Sequence, residues 1–433
     1  MIVKEAITLN FHQPMMIKKK ILILCDFFPP AFAPRMGYLC KNLKASNWDP
    51  TIITEYSPQE LYTELANEQS VTYIRYFRAK NRFFKKIEWF CVFIADFFFN
   101  YKERVMEKAA QKEIDKNDFS IILACSYRTF PLVAAERLSR KNNIPLLVDL
   151  RDIVEQYTGN EFIDSKIGNI KVINNLIASV FRKKLLRLRN RALRSANCVT
   201  TISEWHVDIL KQYNRNVQLI YNGYDSELFY PQKILTNQFI ITYTGRIISL
   251  LMRDPSLLFK AVSELSDENI LSAQLCRIRF YVDERSKKML QPLAKYYQIE
   301  EFIDYFDYIS ASDVPNVLNE SSVLLLLTNS SLNDGPKGVM TTKFFEYLAV
   351  DKPILCVKSD EALLEKAIRE TDSGISAKTV TEVKEFLIEK YKDWEQNKYT
   401  QAKSDKKEIQ KYSGTHQAKQ FISVFESIIN YKS

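Results

Sequence analysis

The feature that most constrains this chain is a repeated alternation of short, almost uninterrupted apolar runs with stretches of helical periodicity. KKILILC, PTIITEY, VTYIRYF, SIILACS, PLLVDL, CVTTIS and VQLIYN follow one another through the first half. FIITYTG, CRIRFYV, FIDYFDYI, SVLLLLT and KPILCV follow through the second. Runs this rich in Ile, Val and Leu, with little polar alternation, suit parallel strands covered on both faces. Parallel neighbours need a crossover, and PRMGYLCKNLKASN, FPLVAAERLSRKNN and Ile173–Arg194 supply helical ones in the first half. Pro255–Leu265, Ser286–Tyr297, Val314–Asn319, Thr342–Ala349 and Asp360–Arg369 do so in the second. The expected fold is therefore α/β, with two Rossmann-like doubly wound domains facing each other across a cleft. Residues 17–230 form the expected first domain and 238–410 the second, with Tyr230–Asn237 as the hinge. Residues 411–433 are expected to form an amphipathic helix, a candidate to pack back toward the first domain. Ligands of such folds sit at the carboxyl ends of the strands.

Charge narrows the classes of partner. The net charge is +9, concentrated at Lys18–Lys20, Arg78–Lys86 and Arg182–Arg194. No nucleic-acid motif accompanies it, so no nucleic-acid partner is expected. The stretch KKIEWFCVFIADFFFNY is strongly apolar, but Glu88 and Asp96 interrupt it. It falls short of the roughly 20 apolar residues that a membrane span requires. Two readings remain open for it. Residues 82–101, with 182–194, form a peripheral contact with an anionic membrane surface, or the aromatic face is buried in the first domain. The seven cysteines are odd in number and scattered through mostly apolar runs, with no C-x-x-C pair, and there are only three histidines. Neither disulfides nor a Cys/His zinc site is expected, which points to the cytoplasm, with peripheral placement on the inner membrane face as the alternative. The N-terminus lacks the charged–apolar–small order of a signal peptide.

The segment DGPKGVMTTKFFEYLAVDKPILCV, residues 334–357, carries the densest chemistry. Gly335 and Gly338 stand before a helix that begins near Thr342, in a chain with only 9 glycines. The first turn of that helix offers unpaired N–H groups and partial positive charge, which suit a phosphate. Thr341 and Thr342 add hydroxyls, Lys343 adds a full charge, and Glu346 lies one turn on, where it could accept from a ribose diol. A solvated, capped helix would show the same spacing. Asp149, Arg151 and Asp152 follow a buried strand, either as substrate-positioning groups or as a structural ion-pair cluster. His206 is expected on a helix surface, and Asn222–Gly223 as a structural turn.

TTKFFEYLAVDKPIL resembles the donor-binding helix and strand of glycosyltransferase family 4. ILILCDFFPPAFAPRMGYLCKNL, IPLLVDLRDIVEQY, SANCVTTISEWHVDILKQY, VQLIYNGYDSELF and IITYTGRI are similar to further family segments, in order, from about residue 18 to 430. The resemblance implies the GT-B fold, a nucleotide-sugar donor, and a glycan or lipid-linked glycan acceptor. It also implies retention of anomeric configuration without a metal or other cofactor. Carried over residue by residue, Arg246 matches the family's diphosphate-binding Arg, with Arg253 as a looser second cation. Glu346 matches the ribose ligand, and Arg35 an Arg at the start of the first helix. Arg246, Lys343 and Asp152 are then the expected catalytic set. Glu346, Arg253, Thr341, Thr342, Gly338, Val339, Met340, Arg35, Asp149 and Arg151 are expected to bind substrate. Two departures stand out: the first loop, FFPPAFAPRMG, lacks the family's paired glycines, and Gly338 replaces a sugar-contacting Glu. A degenerate homologue serving as a scaffold and a nucleotide-sugar 2-epimerase are the competing readings.

Overall fold

A computed structural model describes residues 18–430 apart from 32, 61, 68, 157–170, 251, 329–339, 360 and 361, and apart from the side chains of 171–174. The apolar runs form two sheets in which every strand pairing is parallel. The first contains β1 (Lys19–Cys25), β2 (Trp48–Glu55), β3 (Ser70–Ile74), β4 (Phe119–Ser126), β5 (Leu146–Leu150), β6 (Cys198–Thr201) and β7 (Val217–Leu219), in the order 3-2-1-4-5-6-7. The second contains β8 (Phe239–Thr244), β9 (Cys276–Tyr281), β10 (Ile303–Phe306), β11 (Val323–Leu327), β12 (Ile354–Val357) and β13 (Gly374–Ala377), in the order 10-9-8-11-12-13. In each the strand order reverses beside the first strand, which opens a crevice at its carboxyl end. The pattern is the α/β doubly wound arrangement expected, twice over.

Helices cover both faces of the first sheet. They are α1 (Pro34–Ala45), α2 (Thr63–Ala66), α3 (Arg82–Phe99), α4 (Tyr101–Ile114), α5 (Leu132–Asn142), α6 (Lys171–Ser195) and α7 (Glu204–Leu210). The second sheet is wrapped by α8 (Ser256–Asp267), α9 (Glu284–Tyr296), α10 (Val314–Asn319), α11 (Thr342–Val350), α12 (Ala362–Glu370) and α13 (Val380–Asn397). After α14 (Lys406–Gln410) the chain returns, and α15 (Gly414–Asn430) buries Ala418, Phe421, Val424, Phe425 and Ile428 against Ile21, Ile23 and Trp48. The Trp48 and Phe425 rings meet edge to face at 5.1 Å. The last helix is thus part of the first domain's core. The returning segment runs beside the outgoing one: the Tyr224 amide donates to the Tyr412 carbonyl at 3.0 Å and the Gly414 amide to the Tyr224 carbonyl at 2.8 Å. Gly223 is required here because a Cβ would lie 2.8 Å from the Gly414 nitrogen.

Burial corrects one expectation and bears on a reading left open. His206 is not on a helix surface; it is fully buried, with Nδ1 3.0 Å from the Thr201 hydroxyl. The aromatic face of α3 is not packed into the first domain either: none of its residues is buried, and Phe83, Phe84, Phe98 and Phe99 are each at least 60% exposed. Among the described residues its ring partners lie along the inner edge, where Phe93 and Phe97 lie 5.5 and 5.1 Å from Phe181 of α6. No described helix is long and apolar enough to cross a membrane.

Candidate active site

The site grows from α11. Phe344, Phe345, Tyr347, Leu348 and Val350 are sunk in the second domain's core, which turns Lys343 and Glu346 to the opposite side, toward the cleft. Thr341 is the N-cap residue, but its side chain makes no capping bond, so no side-chain cap occupies the first-turn amides. Two cavities meet at this helix start. One, of about 410 Å³, is walled by Thr244, Gly245, Tyr281, the Tyr308–Ser312 loop and Glu346. The other, of about 660 Å³, is walled by Phe27, Tyr127, Arg151, Asp152, Arg253 and Thr341. Thr342 and Lys343 belong to both.

Lys343 reaches that position because residue 245 has no side chain. Gly245 sits at φ +115, and a Cβ there would lie 2.5 Å from Lys343 Cε and 2.8 Å from Nζ. The ammonium also lies 5.7 Å from the centre of the Tyr243 ring. Burial pushes the Lys343 ammonium below the usual lysine range, and Arg253 acts the same way; Glu346 opposes both. Burial likewise raises the Glu346 carboxyl, against the pull of Lys343. A crowded, partly desolvated cation pair of this kind gains most from an arriving anion. The Arg253 guanidinium donates to the Arg246 carbonyl, while its buried Nε has no hydrogen-bond partner among the described residues.

The other predicted residues divide into groups that face the cavities and groups that do not. Asp152 lines the larger cavity, and burial pushes its carboxyl up to about 7 against the pull of Arg151. Arg151 lines it too, anchored to Asp26. Asp149 does not face a ligand: it is fully buried, accepting from Arg35 Nε at 3.0 Å, from Arg35 Nη2 at 2.9 Å and from the Thr200 hydroxyl at 2.8 Å. Arg35 touches the cavity wall, yet its remaining donors go to the carbonyls of Ile220 and Tyr221 at 2.9 Å each and to Asn222 Oδ1 at 3.1 Å. Both residues tie α1 to the end of β5 and to the turn before the hinge rather than offering groups to substrate. Arg246 stands at the edge of this arrangement, beside Tyr308 of the smaller cavity's wall. Its side chain is 64% exposed, pairs through Nε with Asp283 at 3.1 Å, and lines neither cavity. Met340 lines the larger cavity; Gly335, Gly338 and Val339 lie outside the described residues.

Sequence reasoning missed several walls. Gly245 was visible as one of few glycines, at a strand end. Tyr38 and Tyr62, from the first domain, line the smaller cavity with no local signal to mark them. The apolar first loop contributes Phe27 and Pro34 to the larger cavity.

Comparison with known proteins bears on the family. Residues 35–228 match the family model of glycosyltransferase family 4. The matched stretch lies within the first domain. The match falls on the half of the chain opposite the Lys343–Glu346 motif, so two independent stretches point the same way. Sucrose-phosphate synthase from Thermosynechococcus elongatus superposes with a TM-score of 0.61 at 12% identity, covering 96% of this chain and 100% of that one. HepE of Anabaena in complex with UDP gives 0.62 at 13%, covering 94% and 100%. The lipopolysaccharide outer core galactosyltransferase WaaB gives 0.54 at 11%, covering 96% and 100%. No curated protein sequence matches the chain. The chain thus has the two-domain GT-B fold of these structures, with the family-model match lying within its first domain.

Proposed function

We propose that this glycosyltransferase moves a sugar from a nucleoside diphosphate sugar to a hydroxyl of a lipid-linked surface glycan, retaining configuration and using no metal. The observation that carries the reading is the shared wall of the two cavities. A nucleoside in the 410 Å³ cavity and a sugar in the 660 Å³ cavity are joined by a diphosphate lying over Thr342, Lys343 and the start of α11. HepE, whose fold this chain shares, has been solved with UDP and with UDP-glucose, which supports a nucleotide-sugar donor.

The chemistry follows from charge. As the bond from the anomeric carbon to the phosphate oxygen breaks, negative charge grows on the departing diphosphate. Lys343, Arg253 and the first-turn amides of α11 are already oriented toward it, so stabilisation needs no reorganisation. Glu346 accepts from the ribose hydroxyls. The acceptor hydroxyl adds to the same face of the sugar and passes its proton to the departing phosphate oxygen. Asp152, at the wall of the larger cavity, orients that hydroxyl.

The acceptor assignment rests on the exposed face of α3. Its two acids are occupied internally: Glu88 accepts from the Arg78 and Ala79 amides at 2.8 Å each, and Asp96 Oδ1 from the Lys102 amide at 2.8 Å. What faces outward is Arg82, Phe83, Phe84, Lys85 and Lys86, joined by Lys183 and Arg187 of α6. Exposed aromatic and basic groups together suit an anionic bilayer surface at the cytoplasmic face.

A thermal-shift panel of nucleoside diphosphates tests the donor assignment. One of them should stabilise the wild-type chain, and Lys343→Ala and Glu346→Ala should lose the response. No response to any of them would remove the enzyme reading and leave a scaffold role. Turnover that persists in chelator, with the product anomer assigned by NMR, tests metal independence and retention. Sedimentation with phosphatidylglycerol vesicles should fall when Arg82, Lys85 and Lys86 become Gln. A concentration-dependent dimer without vesicle binding would instead assign the face to a second copy of the chain.

A further inference from the structure

The connection between β2 and β3 crosses to the other domain's nucleoside cavity. Glu60, Tyr62, Thr63 and Glu64 line the smaller cavity, together with Tyr38 of α1, while Ser57 and Gln59 line the larger one. Opposite them stand Glu346 and the Tyr308–Ser312 loop of the second domain. The strap is seated on its own domain. The Tyr62 amide donates to the Pro30 carbonyl at 3.0 Å, and the Leu65 amide to the Tyr62 carbonyl at 3.2 Å. Gly37, in the first turn of α1, makes the seat: a Cβ there would lie 2.8 Å from Pro29 Cγ and 3.0 Å from Leu65 Cβ. This glycine therefore serves the approach of α2 to α1. Tyr38 and Tyr62 line the same cavity as Glu346; burial raises both phenols, and the Glu346 carboxylate raises them further.

We infer that the strap, through Ser57, Gln59, Glu60 and Tyr62–Glu64, is the first domain's half of the donor site, with Tyr62 and Tyr38 facing a nucleoside held by the second domain. This rests on the reading of the donor as a nucleoside diphosphate sugar. An aromatic ring over a nucleoside adds contact without regard to base identity. A ligand that touches both domains favours the state in which they are together, by as much as it binds that state better.

Titration calorimetry with the nucleoside diphosphate that stabilises the wild-type chain tests this. Tyr62→Ala should weaken binding about tenfold, with Tyr62→Phe restoring most of it. In steady-state assays Tyr62→Ala should raise the donor KM more than it lowers kcat, as loss of uniform binding does. Gly37→Ala, which touches no ligand, should weaken binding in the same direction by lifting Leu65 and the strap. Circular dichroism and Tm of each variant separate these effects from misfolding. If Tyr62→Ala and Gly37→Ala fold and bind like the wild type while Lys343→Ala does not bind, the strap has no part in the site and the donor assignment stands. A wild-type chain that binds no nucleoside diphosphate overturns both.

Discussion

Gly245 is the residue on which the charge at the cleft depends. Any side chain there competes with the Lys343 stem for the same space, and φ +115 strains every L residue. Gly245→Ala should therefore keep the fold, lower Tm by a few degrees, and reduce kcat/KM at least about 100-fold, the order lost when a preorganised transition-state donor is removed. Unchanged kcat/KM would mean that Lys343 does not act from its observed position. His206 makes a separate prediction about pH. Burial holds its imidazole pKa down to about 4 in the folded chain, below the ordinary 6.5, with Glu155 opposing. A folded pKa below the unfolded one gives stability that is present above pH 6.5 and is lost as pH falls toward 4. The Tm difference between wild type and His206→Gln should therefore shrink across that window, since Gln has no proton to gain.

At the scale of elements, α15 illustrates how a helix far along the chain completes the first core. Phe425→Ala removes a ring from beside Trp48 and Phe421 and should destabilise the first domain by about 3–5 kcal/mol, read from urea unfolding. A loss near zero would mean that the helix lies on the surface of the domain rather than in its core. The long elements were legible because their residues repeat a pattern: β1, β4, β8 and β11 are built mostly of apolar residues, and α5 and α9 carry one apolar side. The elements left unread differ from one another. The α13 start was readable in principle, since Thr379 and Glu382 form a capping box three residues apart. By contrast β13, GISA, and α2, TELA, are too short for any period to emerge. For α3 the sequence showed an amphipathic helix, but whether its aromatic side was covered depended on which neighbours reached it.

For the whole molecule, two domains joined by adjacent crossings share one site. Lys366 of α12 reaches Glu204 of α7 at 3.1 Å, an exposed pair of small stabilising effect. Residues 229–412 expressed alone should keep the six-stranded sheet by circular dichroism, yet bind the nucleoside diphosphate about tenfold more weakly than the full chain. Equal affinity would assign the whole nucleoside site to the second domain.

The sequence by itself determined the alternation of strand and helix, hence the two doubly wound domains. It also marked the helix start at Thr342–Glu346, because burial on both faces and the geometry of a helix terminus leave local signatures. Tertiary structure alone decided which charges are free. Arg35 and Asp149 read as cleft residues, yet they satisfy each other in the core, and Arg246 is held by Asp283 outside both cavities. A charge's partner is chosen by whatever the folded chain brings within hydrogen-bond distance, and for Arg35 that is a residue 114 positions away. The same holds for Tyr38 and Tyr62, which join the site only when one domain faces the other.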